Sequence, residues 1–247
     1  MVKTTTALKL ATTWALTTFA LVVGLAGSSS GATPEALPTM MRAFLNADQQ
    51  GWVHEVQISR TGTATITMVD DIGASEGRQI TTFSNGGHDT LIALDAQRRM
   101  YEKANAAGLL DYQITSNTKY YADKWLVQTP KNTGYANNAE ATTLLSDFAQ
   151  YYLAGPLKIG RVTKRAGELV RVITGKAPKA LSISNARAWL YVSATGLELP
   201  VALVVKGKDS TYDVSWNAWG KKVVLRAPRK TTPYPSPTVS SPQTSIQ

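Results

Sequence analysis

The sequence predicts an α+β protein, mainly β, built as a curved antiparallel half-barrel of about eleven strands closed by helices. Three observations carry this expectation. From Trp52 onward, apolar and polar residues alternate in short runs. Turn residues, glycine above all, punctuate those runs at short intervals. Only two stretches, Met40 to Ala47 and Leu144 to Leu153, repeat apolar residues at helical spacing. Many short strands with few helices give a sheet that curves around, or is covered by, the helices.

The chain opens with Lys3 and Lys9, then an apolar run from Leu10 to Ala26 that is too Thr-rich for a comfortable membrane span. A basic start, an apolar segment and a small-residue exit describe an export signal, with cleavage expected after Ala32 in Ser30-Gly31-Ala32. Leu25-Ala26-Gly27-Ser28 has the form of a lipoprotein signal in which a cysteine would follow the glycine and carry the lipid. Serine stands there instead, and the chain has no cysteine. The expected product is secreted or held in the cell envelope without a lipid anchor; an uncleaved signal acting as an anchor stays open.

Residues 33–228 form the expected domain. Thr33-Pro34-Glu35 could open its first helix, with Pro38 moving the start to about Thr39. Val56 and Ile58, then Ala64, Ile66 and Met68, alternate as two strands joined at Arg60-Thr61-Gly62. Asp70 to Gly77 reads as a loop, Gln79 to Phe83 as a strand, and Asn85-Gly86-Gly87 as a tight turn. Thr90 to Leu94 and Arg99 to Lys103 pair next, and Tyr120 to Gln128 reads as an aromatic-rich strand. The helix over Leu144 to Leu153 is expected to stop at Gly155-Pro156. Strands then follow at Leu157 to Lys164, Leu169 to Thr174, Ala188 to Ala194, Val201 to Lys206, Thr211 to Trp216 and Lys222 to Arg226. Residues 229–247 are rich in Pro, Ser and Thr and read as a flexible tail.

The formal charge is +9, or +7 once Lys3 and Lys9 are removed. Such a balance favours anionic surfaces, whether membrane headgroups, wall polymers or nucleic acid, and export argues against nucleic acid. A solvated basic surface without a partner is the plainer reading. The lack of cysteine excludes disulfides, thiol catalysis and cysteine metal sites. Gly27-Ser28-Ser29-Ser30-Gly31 matches the nucleophile-elbow spacing, yet it sits at the signal exit with no strand before it. His54 and Glu55 are neighbours on a strand and so face opposite sides. Asp70-Asp71 reads as a solvated turn, and Gly175-Lys176 and Gly207-Lys208 lack the rest of a phosphate loop. No catalytic set, metal site or cofactor is expected.

The apolar face says more. Val56, Ile58, Ile66, Met68, Val201, Leu203, Val205, Val214 and Trp216 supply it by alternation, and Phe44, Trp52, Leu145 and Phe148 are placed to gate or line its opening. The face is either a dry core or a cavity for an acyl chain.

The series Ala188-Trp189-Leu190-Tyr191-Val192-Ser193-Ala194-Thr195-Gly196, Leu199-Pro200, Tyr212-Asp213-Val214-Ser215-Trp216 and Val224-Leu225-Arg226-Ala227-Pro228 resembles the end of actinobacterial envelope proteins of the LppX/LprG type, related to the LolA lipoprotein carriers. Met100 to Asn105 and Tyr121 to Leu126 are similar to that group too. The resemblance implies a LolA-like half-barrel and a role in binding or carrying lipids, lipoproteins or lipoglycans. Ser28 departs from the lipid-tethered members. The resulting expectation is a monomeric, non-enzymatic binder of an apolar ligand such as a lipid, acyl chain or lipoglycan, with peripheral contact to anionic membrane or wall polymers. The alternative is a structural or sensory envelope protein with a filled core that binds a protein partner. Intact-mass measurement of the exported protein is expected to show the loss of residues 1–32 and no acyl adduct; an added diacylglyceryl mass would overturn the reading of Ser28.

Overall fold

A computed structural model describes residues 35–111, 114, 117–132, 135 and 148–235. All its strands belong to one open sheet, antiparallel except for its last short strand. Helix α1 (Ala36–Asp48) precedes β1 (Trp52–Thr61), β2 (Ala64–Gly73), β3 (Glu76–Phe83), β4 (His88–Leu94) and β5 (Arg99–Ala104). Two short helices, α2 (Ala106–Asp111) and α3 (Thr118–Tyr121), lead to β6 (Leu126–Gln128). After a 3-10 turn at Phe148–Tyr151 come β7 (Ala154–Arg165), β8 (Glu168–Lys176), β9 (Arg187–Ser193), β10 (Pro200–Lys206), β11 (Ser210–Asn217) and β12 (Thr232–Pro233). The spatial order is β12-β6-β5-β4-β3-β2-β1-β11-β10-β9-β8-β7. Two meanders, β1 to β6 and β7 to β11, are therefore joined edge to edge by β1 and β11, with His54 opposite Asn217 and Thr61 opposite Ser210.

Local chemistry explains most element ends. Thr61 pairs with Ala64 across Gly62-Thr63, and Gly62 holds the left-handed conformation that the tight turn requires (φ 57°). Helix α1 starts at Ala36 rather than Thr39, because Pro38 falls in the first turn, where its missing N–H has no intrahelical partner to lose. Ala36, Met40, Ala43, Phe44 and Ala47 form its buried stripe. That stripe packs on Ile173, Leu190, Leu203, Val214 and Trp216 in the main core. The alanines let the helix backbone approach the sheet closely.

Several expectations need correction. Asp70 and Asp71 are not a turn: β2 runs on to Gly73 and β3 begins at Glu76. Gly155-Pro156 does not end a helix; it lies inside β7, the edge strand, where a proline removes no inward ladder bond. Tyr120 to Gln128 divides into a helical turn and the three-residue β6, and Lys222 to Arg226 forms no strand. Within the segment expected as a tail, Thr232–Pro233 adds a parallel strand beside β6. Of the Leu144–Leu153 helix, residues 144–147 lie outside the described residues, and Phe148–Tyr151 is a 3-10 turn.

Helix α2 reaches the sheet at Gly108, where a Cβ would stand 2.4 Å from the His88 carbonyl oxygen. Gly108→Ala must push the helix away, at a cost of about 2 kcal/mol. A lowering of Tm by roughly 4–8 °C is expected in thermal denaturation.

Candidate functional site

The inner face of the sheet has two chemically distinct halves. From β8 to β11 it is apolar: Ile173 pairs with Leu190, Leu190 with Leu203, and Leu203 with Val214. Helix α1 and the 148–151 turn cover this half through aromatic rings. Phe44 lies 5.8 Å from Phe148 and 6.5 Å from Trp216 between ring centroids, and Tyr151 lies 5.2 Å from Trp216. The helix is also tied at its outer side, where Arg42 Nε donates to Glu198 Oε2 at 2.9 Å and Asn46 Nδ2 donates to the Glu198 carbonyl at 2.9 Å.

Across β1 the chemistry changes. One cross-strand row reads Trp216, Glu55, Asp70, Gln79, Leu91, Glu102 and Leu126. The row beside it holds Val214, Gln57, Met68, Thr81 and Asp89. Glu55, Asp70, Thr81, Asp89, Glu102 and Gln128 are all at most 2 % exposed. The sequence reading missed this acidic half: its acids lie far apart in the chain, and only the strand register gathers them.

Glu55 stands at the boundary. Trp216 Nε1 donates to its Oε2 at 2.5 Å, Gln57 Nε2 donates to its Oε1, and the Tyr151 hydroxyl donates at 3.5 Å. The Tyr212 hydroxyl donates to Gln57 Oε1 at 2.9 Å. Burial raises the Glu55 carboxyl above its usual range, against the pull of these donors. Asp70, directly opposite on β2, is raised further by burial and by the Glu55 charge. Burial also raises the Tyr151 and Tyr212 hydroxyls. At the far end burial lifts Glu102 to about 7, opposed by hydrogen bonds from Tyr234 and from Gln128 Nε2 at 3.4 Å. Asp70 Oδ1, Thr81 Oγ1, Glu102 Oε1 and Gln128 Oε1 accept no hydrogen bond among the described residues.

Phe44, Phe148, Leu203, Val205, Val214 and Trp216, singled out from sequence, meet in the main core. Ile66 and Met68 are half-buried on the same inner face but in its polar half, and Val201 is half-buried beside a β-bulge. Val56 and Ile58 stand on the opposite face, because Val56 pairs with Ser215 and Ile58 with Asp213. Trp52 shares their side of β1, and its ring covers Gly73. Leu145 lies outside the described residues. His54 and Glu55 do face opposite sides: His54 Nδ1 is 2.8 Å from Asp71 Oδ1, and Arg78 pairs with the other Asp71 oxygen. Among the described residues no three His, Asp or Glu gather to hold a metal ion, and no helix is long and apolar enough to cross a membrane.

No family model matches the chain, and no curated protein matches it in sequence. Solved structures do match. LppX, a lipoprotein of Mycobacterium tuberculosis, is 11% identical with a TM-score of 0.54, over 79% of this chain and 100% of LppX. LprF of Mycobacterium bovis is 11% identical with a TM-score of 0.50, over 80% of this chain and 98% of LprF. The chain shares their fold. At this identity the likeness establishes the architecture, an open curved sheet with a few helices, and leaves the site to be argued from its own residues.

A raised carboxyl penalises folding wherever it must ionise. For Glu102 the penalty is complete above about 7 and vanishes below the ordinary glutamate range. Stability is therefore expected to rise as pH falls from about 7 to 5, by on the order of 1 kcal/mol per unit between the two pKa values. Glu102→Gln should flatten that slope in urea titrations at several pH values, leaving the share due to Glu55 and Asp70.

Proposed function

We propose that this is an exported, non-enzymatic protein that binds an apolar or amphiphilic ligand between its curved sheet and the α1 cover. The observation that carries the reading is the nature of that cover. The apolar half of the inner face is closed by one thirteen-residue helix and a 3-10 turn, held by packed rings and by the Glu198 contacts. Lifting α1 would uncover Trp216, Val214, Leu203 and Leu190 without breaking a strand pair. A ligand's apolar body would replace Phe44 and Phe148 there, and its polar head would meet the acceptors of Asp70 and Thr81 across β1. That LppX is by name a lipoprotein supports a place in the envelope for this fold, and Ser28 supports a form without the lipid tether.

A second reading draws on a specific observation. Phe44, Phe148, Tyr151, Tyr152 and Trp216 fill the space beneath α1, while Leu37 and Leu45 on its outer side are about half exposed. A filled core with an apolar outer stripe suits a protein partner.

Brominated fatty acids separate the two readings. Under the carrier reading they quench tryptophan emission, and Trp216→Phe removes most of that quenching. Arg42→Ala, which loosens the helix tie, should speed uptake several-fold, in line with the modest strength of an exposed ion pair. No quenching, together with no lipid extracted from protein purified from its own host, would leave the filled-core reading standing.

A further inference from the structure

The outer face of the sheet carries a row of cations that the fold does not need. The register sets Lys176, Arg187, Lys206, Thr211 and Arg60 side by side on β8, β9, β10, β11 and β1. All four cations are exposed. The row crosses four strand steps, about 19 Å at ordinary strand spacing. Like charges placed directly opposite one another weaken a sheet, and Lys176, Arg187 and Lys206 do so on three successive strands. Among the described residues none of the four makes an ion pair. Asp213, one row away on the same face, faces Arg165 at 3.7 Å.

The adjoining row holds Trp189, Val204, Asp213 and Ile58, and Tyr191 follows Trp189 two residues on along the same face of β9. Trp189 pairs with Val204, and Val204 is linked through Asp213 to Ile58. The Arg165 guanidinium lies 4.1 Å from the centre of the Tyr191 ring. A hollow of about 280 Å³ opens between Arg165, Trp189, Tyr191, Val204, Lys206 and Asp213.

We infer that this face docks onto an anionic phospholipid bilayer, with the cationic row against the headgroup phosphates and Trp189 and Tyr191 at the interface. Charge complementarity selects an anionic partner. The half-buried rings of Trp189 and Tyr191 on the same face of β9 select a bilayer over a purely polar polyanion, because indole and phenol rings favour the boundary between headgroups and acyl chains. The face lies opposite the α1 cover, so docking leaves that cover free. The inference goes beyond the ligand reading and does not depend on it.

The test is co-sedimentation of the full chain with phosphatidylcholine vesicles and with vesicles also containing phosphatidylglycerol. Binding is expected to favour the phosphatidylglycerol vesicles, to weaken with added salt, and to shift Trp189 emission to the blue, a shift absent in Trp189→Phe. Replacing Lys176, Arg187, Lys206 and Arg60 together by Thr should reduce the affinity at least about tenfold. Replacing Lys221, Lys222, Arg229 and Lys230 by Thr should cost far less. Should the fourfold variant fail to fold by circular dichroism, Arg187→Glu alone carries the test, with a smaller loss expected. Equal binding to both vesicle types, undiminished binding by a folded row variant, or capture by soluble polyphosphate with none by vesicles would overturn the inference.

Discussion

The pairing of β1 with β11 is the contact on which the rest depends. Every other antiparallel ladder joins strands that follow one another along the chain, apart from the step between β5 and β6 that carries α2 and α3. The β1–β11 ladder joins residues some 155 apart, as in Gln57 opposite Val214. Without it the chain would hold two meanders, each with an exposed edge rich in hydrogen-bonding groups. With it there is one broad sheet, and the apolar face of β8–β11 becomes continuous with the polar face of β1–β6. Such a contact forms against a large loop-closure entropy, so it is the step expected to limit folding.

Glu55 shows what that pairing demands. It is buried beside Trp216 on one side and Asp70 on the other, a place that disfavours its charge. Donors from both meanders and from the 148–151 turn converge on it: Gln57 from β1, Trp216 from β11 and Tyr151 from the turn. A buried polar group whose hydrogen bonds are met specifies one arrangement of its neighbours, because any slip leaves it unpaired. The network therefore fixes the register of β1 against β11 and the seat of the aromatic cover together. Loss of a single donor there would disturb both.

How much of this was legible in the sequence follows from the range of each interaction. Alternation and turn chemistry are local, so Trp52, Gly62 and Asn85-Gly86-Gly87 mark strand and turn positions that the structure keeps. The stripe of α1 is local too, and Phe44 is in the core where its spacing puts it. Face assignment is less secure, because it needs the partner strand. Val56 and Ile58 alternate as cleanly as an inner pair, yet β11 sets Ser215 and Asp213 opposite them and turns them outward. Asp70-Asp71 misleads for the same reason. Two adjacent acids usually mean solvent, but here Asp71 finds His54 and Arg78 outside while Asp70 goes inward to face Glu55. The acidic half of the inner face has no sequence signature, since only the ladders bring Glu55, Asp70, Asp89 and Glu102 to one surface.

The two faces also act on each other through charge. The formal +9 counts every acid as ionised. Glu55, Asp70 and Glu102 sit on the inner face with carboxyls raised by burial. Each proton retained there removes one negative charge and adds one unit to the net positive charge. With Glu102 lifted to about 7, part of that negative charge is lost near neutral pH, while the cations of β8, β9, β10 and β1 point outward. Acidification strengthens this division, because the inner acids take up protons while the lysines and arginines are already charged. The inner acids therefore offset less of the outward positive charge as the pH falls, the direction in which the proposed docking onto an anionic bilayer would strengthen.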